Sequence, residues 1–467
     1  MRACLAAAVV AVLASACTAG PDYRRPDVDV PAAWKVEAPW REARPQDHAA
    51  KGEWWKVFGD GELEALERRA LAQSPTLAVA IARLAQARAQ LDAATAGRYP
   101  QLALASREQR LRITENRPLS NYAAPQFSTV QNDFTLGLAA SYELDFAGRV
   151  RRGIEAASAT AERSGADLEN ARLLLTADVA TAYFNVREAD IELDVLARSI
   201  ALQRRALELA SARHDLGAAS GIDVAQQQAL LDATLTQVDV LARQRGQFEH
   251  ALATLTGTPA PAFSLAERVQ PLVPPAIPIG VPSDVLERRP DVASAERAMA
   301  AANAQVGVAA AALYPSITLS ASQGGESRVL ASLFEAPSLV WSVGASLTQP
   351  VFDAGRIRAN IAFARAGYEA EVGNYRRAVL TAMQEAEDGI TGLAALERAH
   401  AQASAAVASA RRVLDMANSR YEGGAATYLE VITAQQALLN NERLAAQLQG
   451  QRLLTAVFLV KALGGGW

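Results

Sequence analysis

Cysteine is almost missing from this chain. Its two cysteines among 467 residues, Cys4 and Cys17, both precede residue 18, which excludes a disulfide framework or a cysteine-built metal site. Histidine is nearly as scarce: His48, His214, His250 and His400 lie scattered, without the spacing of a ligand set. There is no phosphate-cradling glycine loop and no nucleophile elbow. The sequence therefore predicts no enzyme, no cofactor and no metal. Neither sign of charge prevails, with 46 basic against 50 acidic residues, so a nucleic-acid partner is not expected. Aromatic residues are only 6% while alanine abounds, a composition that suits closely packed helices.

What the chain does have is helical periodicity on an unusual scale. Residues 149–211 read as one uninterrupted helix. Strides of four and three from Leu168 reach Arg172, Leu175, Val179, Ala182, Val186, Ala189, Leu193, Leu196, Ile200, Gln203, Leu207 and Ala210, of which only Arg172 and Gln203 are polar. A repeat of about 3.5 residues makes a left-handed coiled-coil seam. Adding 207 to each number gives a second small or apolar seam, from Tyr375 to Ala417, with His400 its one exception. At about 1.5 Å per residue, roughly 60 residues extend about 90 Å. Two such helices suggest a conduit or a strut.

Taken in order, residues 1–16 read as a signal peptide: Arg2, an apolar run Leu5–Leu13, then Ala14, Ser15 and Ala16. The run is too short to span a bilayer. Cys17 directly follows, the position of a lipid acceptor, although Ala14 stands where a bacterial lipobox usually has leucine. Residues 17–60 form an extended strap, since Pro26, Pro31, Pro39 and Pro45 break any helix; Trp34, Trp40, Trp54 and Trp55 are its expected anchors. Residues 61–97 return to helical periodicity. Leu102 and Leu104 then alternate with Ala103 and Ala105, and after a polar loop at about 107–131 a period of two runs from Phe134 to Leu144. Eleven such residues suffice for a tilted strand crossing a bilayer. The long helix ends in the turn 213–223, a returning helix covers about 222–256, and 257–289 is a proline-rich linker.

The plan then repeats over 290–467, as it ran over 61–256. Pro75 and Pro290 each precede a Tyr-Pro pair by 25 residues; Ile317–Ser320 and Trp341–Leu347 alternate as strands; Ala147-Gly-Arg-Val-Arg151 matches Ala354-Gly-Arg-Ile-Arg358. The second turn, 420–430, holds the register of the first. Each half is helix, strand, strand, long helix, turn, helix. Four strands cannot close a transmembrane barrel, and an open edge in lipid is costly. Strands that face lipid therefore require several chains to share one barrel. The alternative is a lipid-anchored periplasmic coiled-coil scaffold or adaptor with no spanning strands.

The chain resembles the TolC-like outer-membrane efflux proteins, in particular the lipid-anchored NodT/OprM branch of resistance-nodulation-division export systems. The resemblance rests on Cys17-Thr-Ala-Gly-Pro-Asp-Tyr-Arg-Arg-Pro26, Glu53-Trp-Trp-Lys-Val-Phe58, Leu286-Glu-Arg-Arg-Pro-Asp-Val292, Leu313-Tyr-Pro315, Pro350-Val-Phe-Asp-Ala-Gly355 and two Gly-Ala-Ala turns. It implies an α+β membrane protein: a homotrimer whose twelve strands form an outer-membrane barrel, continued by a periplasmic α-helical coiled-coil tunnel. It also implies an acyl chain such as palmitate on Cys17, and passive multidrug export to the exterior. The helical tips, Gly217, Ala218, Ala219, Ser220 and Gly424, Ala425, Ala426, Thr427, would meet a periplasmic adaptor (membrane fusion protein) coupled to an inner-membrane pump. Asp223 and Glu430 both read as acids of capping boxes, Ser220-Gly-Ile-Asp223 and Thr427-Tyr-Leu-Glu430. By the resemblance they also face the periplasmic aperture, where a trimer would gather six carboxylates.

Overall fold

The computed structural model describes residues 19–26, 52–113, 129–270, 273–277 and 288–465. Its elements are α1 (Gly61–Gln73), α2 (Pro75–Ala96), β1 (Gln101–Ile113), β2 (Thr129–Leu144), α3 (Arg149–Asp215), α4 (Gly221–Leu255), α5 (Pro290–Ala311), β3 (Ser316–Ser327), β4 (Leu339–Thr348), α6 (Arg356–Glu422) and α7 (Tyr428–Ala462). The expected duplication is visible: α3 and α6 are both 67 residues long, α4 and α7 both 35. No helix among the described residues is long and apolar enough to cross a membrane.

Two expectations need correction. The single helix over 61–97 is two, because Pro75 has no N–H to donate and holds Ser74 in the extended region at ψ 124°. The polar loop at 107–131 is narrower, since β1 continues to Ile113 and β2 begins at Thr129. Within the strap, Trp54–Phe58 coils into a short 3₁₀ turn. Cys17, Trp34 and Trp40 lie outside the described residues.

The chain forms two compact units. One comprises the described residues of 1–26, 84–163 and 295–375. It contains a four-stranded antiparallel sheet in the order β1-β2-β3-β4, leaving β1 and β4 as edges. Register assigns its faces. Leu104 pairs Leu138, Leu138 pairs Gln323, and Gln323 pairs Trp341; Leu144, Ile317 and Leu347 share another row. Directly paired residues project to one side, so this face also carries Leu102, Phe134, Leu136, Tyr142, Leu319 and Val343. The opposite face carries Thr135, Gly137, Ala139, Ser141, Thr318, Ser320, Ser322, Ser342 and Ser346. It bears polar ladders: Arg107 Nη2 to Asp133 at 3.1 Å, and the Ser322 and Ser342 hydroxyls 2.8 Å apart.

Residues 19–26 belong to the same unit. The Ala19 N–H donates to the Ala147 carbonyl at 3.1 Å. Buried Arg152 donates to the Ala19 carbonyl at 3.3 Å and pairs with Asp22 at 2.8 Å. Gly20, at φ 91°, sits on Gly307 so closely that a Cβ would come 2.6 Å from the Gly307 Cα. Further along, Arg25 Nε donates to the Tyr375 hydroxyl at 2.9 Å.

The other unit holds residues 52–83, 164–294 and 376–465 among those described. Its largest core joins Trp54, Trp55, Leu63 and Leu66 to Val179, Tyr183, Phe184 and Val186, and to Ile390, Leu453, Val457 and Leu459. The seams behave as their spacing predicts: Val179, Leu196, Tyr375, Val379, Ala382 and Ala386 are buried. Their polar exceptions find partners. Arg172 pairs with Glu169, Gln203 Nε2 bonds Ser199 Oγ, and His400 Nδ1 lies 3.4 Å from Arg452. Around Tyr183 a buried ionic network ties the first repeat together. Arg187 reaches Glu62 and Asp190, each at 2.6 Å; Arg245 reaches the other Asp190 oxygen at 2.6 Å and the Leu265 carbonyl at 2.8 Å. These contacts fasten α1, α3, α4 and the start of the linker into one block.

Candidate functional site

The two helical tips are built alike up to their glycines. At the first, the Gly217 N–H returns to the His214 carbonyl and the Ala218 N–H to Arg213, both at 2.8 Å; at the second, Gly424 returns to Tyr421 at 3.0 Å and Ala425 to Arg420 at 2.8 Å. Both are Schellman closures, which require a left-handed residue. Gly217 and Gly424 supply it at φ 73° and 72°.

Beyond the glycines the copies diverge. Ser220 begins α4 with a reciprocal capping box: its Oγ accepts from the Ile222 N–H at 3.2 Å, and Asp223 Oδ2 accepts from the Ser220 N–H at 3.2 Å. The second capping box is absent. Thr427 makes no side-chain cap. Glu430 turns instead to Arg420 Nη1 at 3.1 Å, while Arg420 Nη2 donates to the Ala425 carbonyl at 3.1 Å. A full cation attracts the carboxylate more strongly than one backbone N–H does. The corresponding arginine of the first copy, Arg213, lies over the Tyr421 ring, 4.9 Å from its centroid. His214 Nδ1 stands 3.0 Å from the Ala219 carbonyl, which can only accept, so that nitrogen carries the proton.

The two hairpins are joined just behind their tips. Tyr428 is only 4% exposed; its hydroxyl donates to Gln227 Oε1 at 2.9 Å, and Gln227 Nε2 donates to the Gln203 carbonyl at 3.1 Å. Tyr421 packs on the Tyr428 ring at 5.0 Å. Burial first, then Tyr421 and Asp223, pushes the Tyr428 phenol up to about 12, so it stays a hydrogen-bond donor at any physiological pH. Ala210, Leu230, Leu414, Val431 and Leu438 complete this cluster. Asp223 is half-buried beside it and Glu430 is exposed.

Sequence reasoning located Gly217, Gly424, Ser220 and Asp223 but missed Arg213, Arg420, Tyr421, Tyr428 and Gln227. It also missed three exposed apolar side chains at the tips: Leu216 is 83%, Ile222 66% and Leu429 57% exposed. An unpaired leucine directly before the capping glycine was a readable signal for the first. Together with Ala218, Ala219, Ala425 and Ala426 they give tips of bare backbone and apolar knobs, a surface that closely approaching helices could cover.

No cluster of potential metal ligands occurs among the described residues. The chemistry available is that of a passage: a sheet with one apolar and one small polar face, and helical hairpins ending in apolar tips with acids beside them.

Comparison with known proteins agrees. The family described as "Outer membrane efflux protein" matches residues 66–258 and 281–465. The pyoverdine export outer membrane protein OpmQ of Pseudomonas aeruginosa is 34% identical over 457 residues, covering 98% of this chain and 95% of that protein. Outer membrane protein OprJ of the same organism is 31% identical over 466 residues, covering 99% and 96%. The solved outer membrane channel CmeC of Campylobacter jejuni superposes with a TM-score of 0.89 at 26% identity, over 97% of this chain and 95% of that one. The chain therefore belongs to the outer membrane efflux protein family, as an outer-membrane channel component of an efflux system with its helical part in the periplasm.

Proposed function

We propose that the protein works as a homotrimeric duct, in which three copies of the β1-β4 sheet close one twelve-stranded barrel. The observation that carries this is the sheet itself. Among the described residues its two edges are unpaired, one face is largely apolar, and the other is mainly small and polar. In lipid such edges must be paired, and pairing β4 of one copy with β1 of the next satisfies them. Cys17 is the lipidated N-terminus of the mature chain. Ala19, two residues on, is tied to Ala147 at the junction of β2 and α3. An acyl chain there enters the membrane at the helical end of the barrel.

The tips around Gly217–Ser220 and Gly424–Thr427 dock a periplasmic adaptor that links the duct to an inner-membrane pump, with Leu216, Ile222 and Leu429 as the apolar contacts. Asp223 and Glu430 flank the aperture. Glu430 is neutralised by Arg420, whereas Asp223 has no ion pair among the described residues, so Asp223 supplies most of the negative potential. Planar-bilayer recording of the reconstituted trimer tests this. Asp223→Asn should lower cation selectivity markedly and Glu430→Gln only slightly. Equal selectivity of Asp223→Asn and wild type, in SDS-resistant trimers, would remove Asp223 from the aperture.

A further inference from the structure

Glu188 stands just past the middle of α3, one turn before Glu192 and on the same side of the helix. Glu192 is buried and committed: Arg443 of α7 donates to it from Nε at 3.1 Å and from Nη2 at 3.0 Å, and Gln447 Nε2 at 3.3 Å. Glu188 has no such holder. No hydrogen bond or ion pair reaches its carboxyl among the described residues. Its side chain lies across Gly450 of α7, so closely that its Cγ, Cδ and Oε2 take the space a Cβ on Gly450 would fill. Gly450 is itself buried. Glycine makes this seat possible, and the seat is apolar, because a backbone CH2 group offers a carboxylate nothing in place of water.

A cavity of about 200 Å³ opens beside it. Asn185 lines it from α3, Gln447 and Gln451 from α7, and the uncharged Leu241, Gln244 and Phe248 from α4. The charged groups that share this cavity with Glu188 are therefore Glu192 on its own helix and Arg443, which is bound to Glu192. Burial first, then Glu192, pushes the Glu188 carboxyl from an ordinary 4.5 up to about 7. The second repeat has Ala395 in the equivalent place, so the arrangement is not a by-product of duplication.

We propose that Glu188 is a proton-binding site that governs how α7 rests on α3. With its proton the side chain stays on Gly450 and the two helices are close. Without it the carboxylate leaves the seat for the cavity, where water and the amides of Asn185, Gln244 and Gln451 supply donors, and the contact around Gly450 loosens. The lever is the difference between the two positions. A displaced carboxyl titrates near 4.5 and the seated one near 7, so the ratio of displaced to seated rises about tenfold per pH unit between those values and levels off above them. Acidification thus tightens this helix pair, and neutral pH loosens it.

Hydrogen exchange of the full-length detergent-purified protein tests the assignment, read by mass spectrometry at pH 5, 6, 7 and 8 with rates corrected for intrinsic exchange. In wild type, protection of α7 residues 446–454 should fall more than tenfold from pH 5 to 7 and change little from 7 to 8, measured against residues 431–439 of the same helix. E188Q keeps the shape and has no proton to lose, so it should hold the pH 5 protection throughout; other buried acids are present in both proteins and cancel. G450A, whose methyl group takes the seat, should be as weakly protected at pH 5 as wild type at pH 8. Protection of 446–454 that ignores pH in wild type, or that varies in E188Q as it does in wild type, overturns the proposal, and the E188Q comparison decides it alone should G450A not assemble.

Discussion

Glu67 should make the protein less stable as pH rises, through a window set by its burial. It lies on α1 between Leu66 and Ala70, in the layer that packs on α3, and is fully buried. Neither carboxylate oxygen has a hydrogen-bond partner. Burial alone pushes its pKa from an ordinary 4.5 to about 9, since an ion without a partner is costly in a low-dielectric core. The folded chain therefore holds a proton that the unfolded chain has released between about pH 4.5 and 9. Stability is greatest below that window, falls by about 1.4 kcal/mol per pH unit across it, and levels off above it. Between pH 5 and 8 this one group removes about 4 kcal/mol per chain. Glu67→Gln carries no titratable proton and should lose this slope; Glu67→Leu should also be more stable than wild type at pH 8, by a few kcal/mol. Guanidinium unfolding of the trimer at pH 5, 6, 7 and 8 measures both, and subtracting the Gln variant removes the contribution of all other groups. Identical pH slopes for wild type and Glu67→Gln, or a Leu variant weaker than wild type at pH 8, would refute the argument.

Two further outcomes follow from the same geometry. Arg187→Ala strands Asp190, whose side chain is wholly buried, with only Arg245 to balance it while Glu62 loses its closest cation; denaturant midpoints should report a loss of about 3–5 kcal/mol, with the linker start at 265–270 becoming sensitive to protease. The unequal helix starts predict unequal costs: Ser220→Ala should lose about 1 kcal/mol by removing a working cap, whereas Thr427→Ala should lie within about 0.5 kcal/mol of wild type because its hydroxyl caps nothing, a difference that hydrogen exchange at the first turns of α4 and α7 would resolve.

Periodicity carried the sequence reading where one chemical preference recurs along an element. Val179, Leu196, Tyr375 and Ala386 sit where the seam spacing places them because a coiled coil buries the same stripe at every turn. The strand face from Phe134 to Leu144 was legible for the same reason. Reading failed where two environments succeed each other within one element. From Arg107 to Arg112 the strand leaves the apolar layer, so alternation stops while the hydrogen-bond ladder continues, and hydropathy alone mistakes it for a loop. Glu67 misleads in the opposite sense: a charged residue inside an apolar stripe looks like a solvent position, yet it is buried.

The tips show a different kind of limit. Offset comparison places Arg213 opposite Arg420 and Ser220 opposite Thr427, which predicts two equal turns. The partners are decided at neighbouring positions that the copies do not share: Tyr421 corresponds to His214, and Tyr428 to Gly221. Tyr421 holds Arg213 over its ring, while Arg420 pairs with Glu430. Duplication thus preserved the backbone closure, which depends on a glycine, and not the electrostatics, which depends on neighbouring side chains that the copies do not share. That asymmetry is why the two acids at equivalent places should contribute unequally to an aperture. Asp223 caps its own helix and keeps its charge; Glu430 gives up both the cap and most of its field to Arg420.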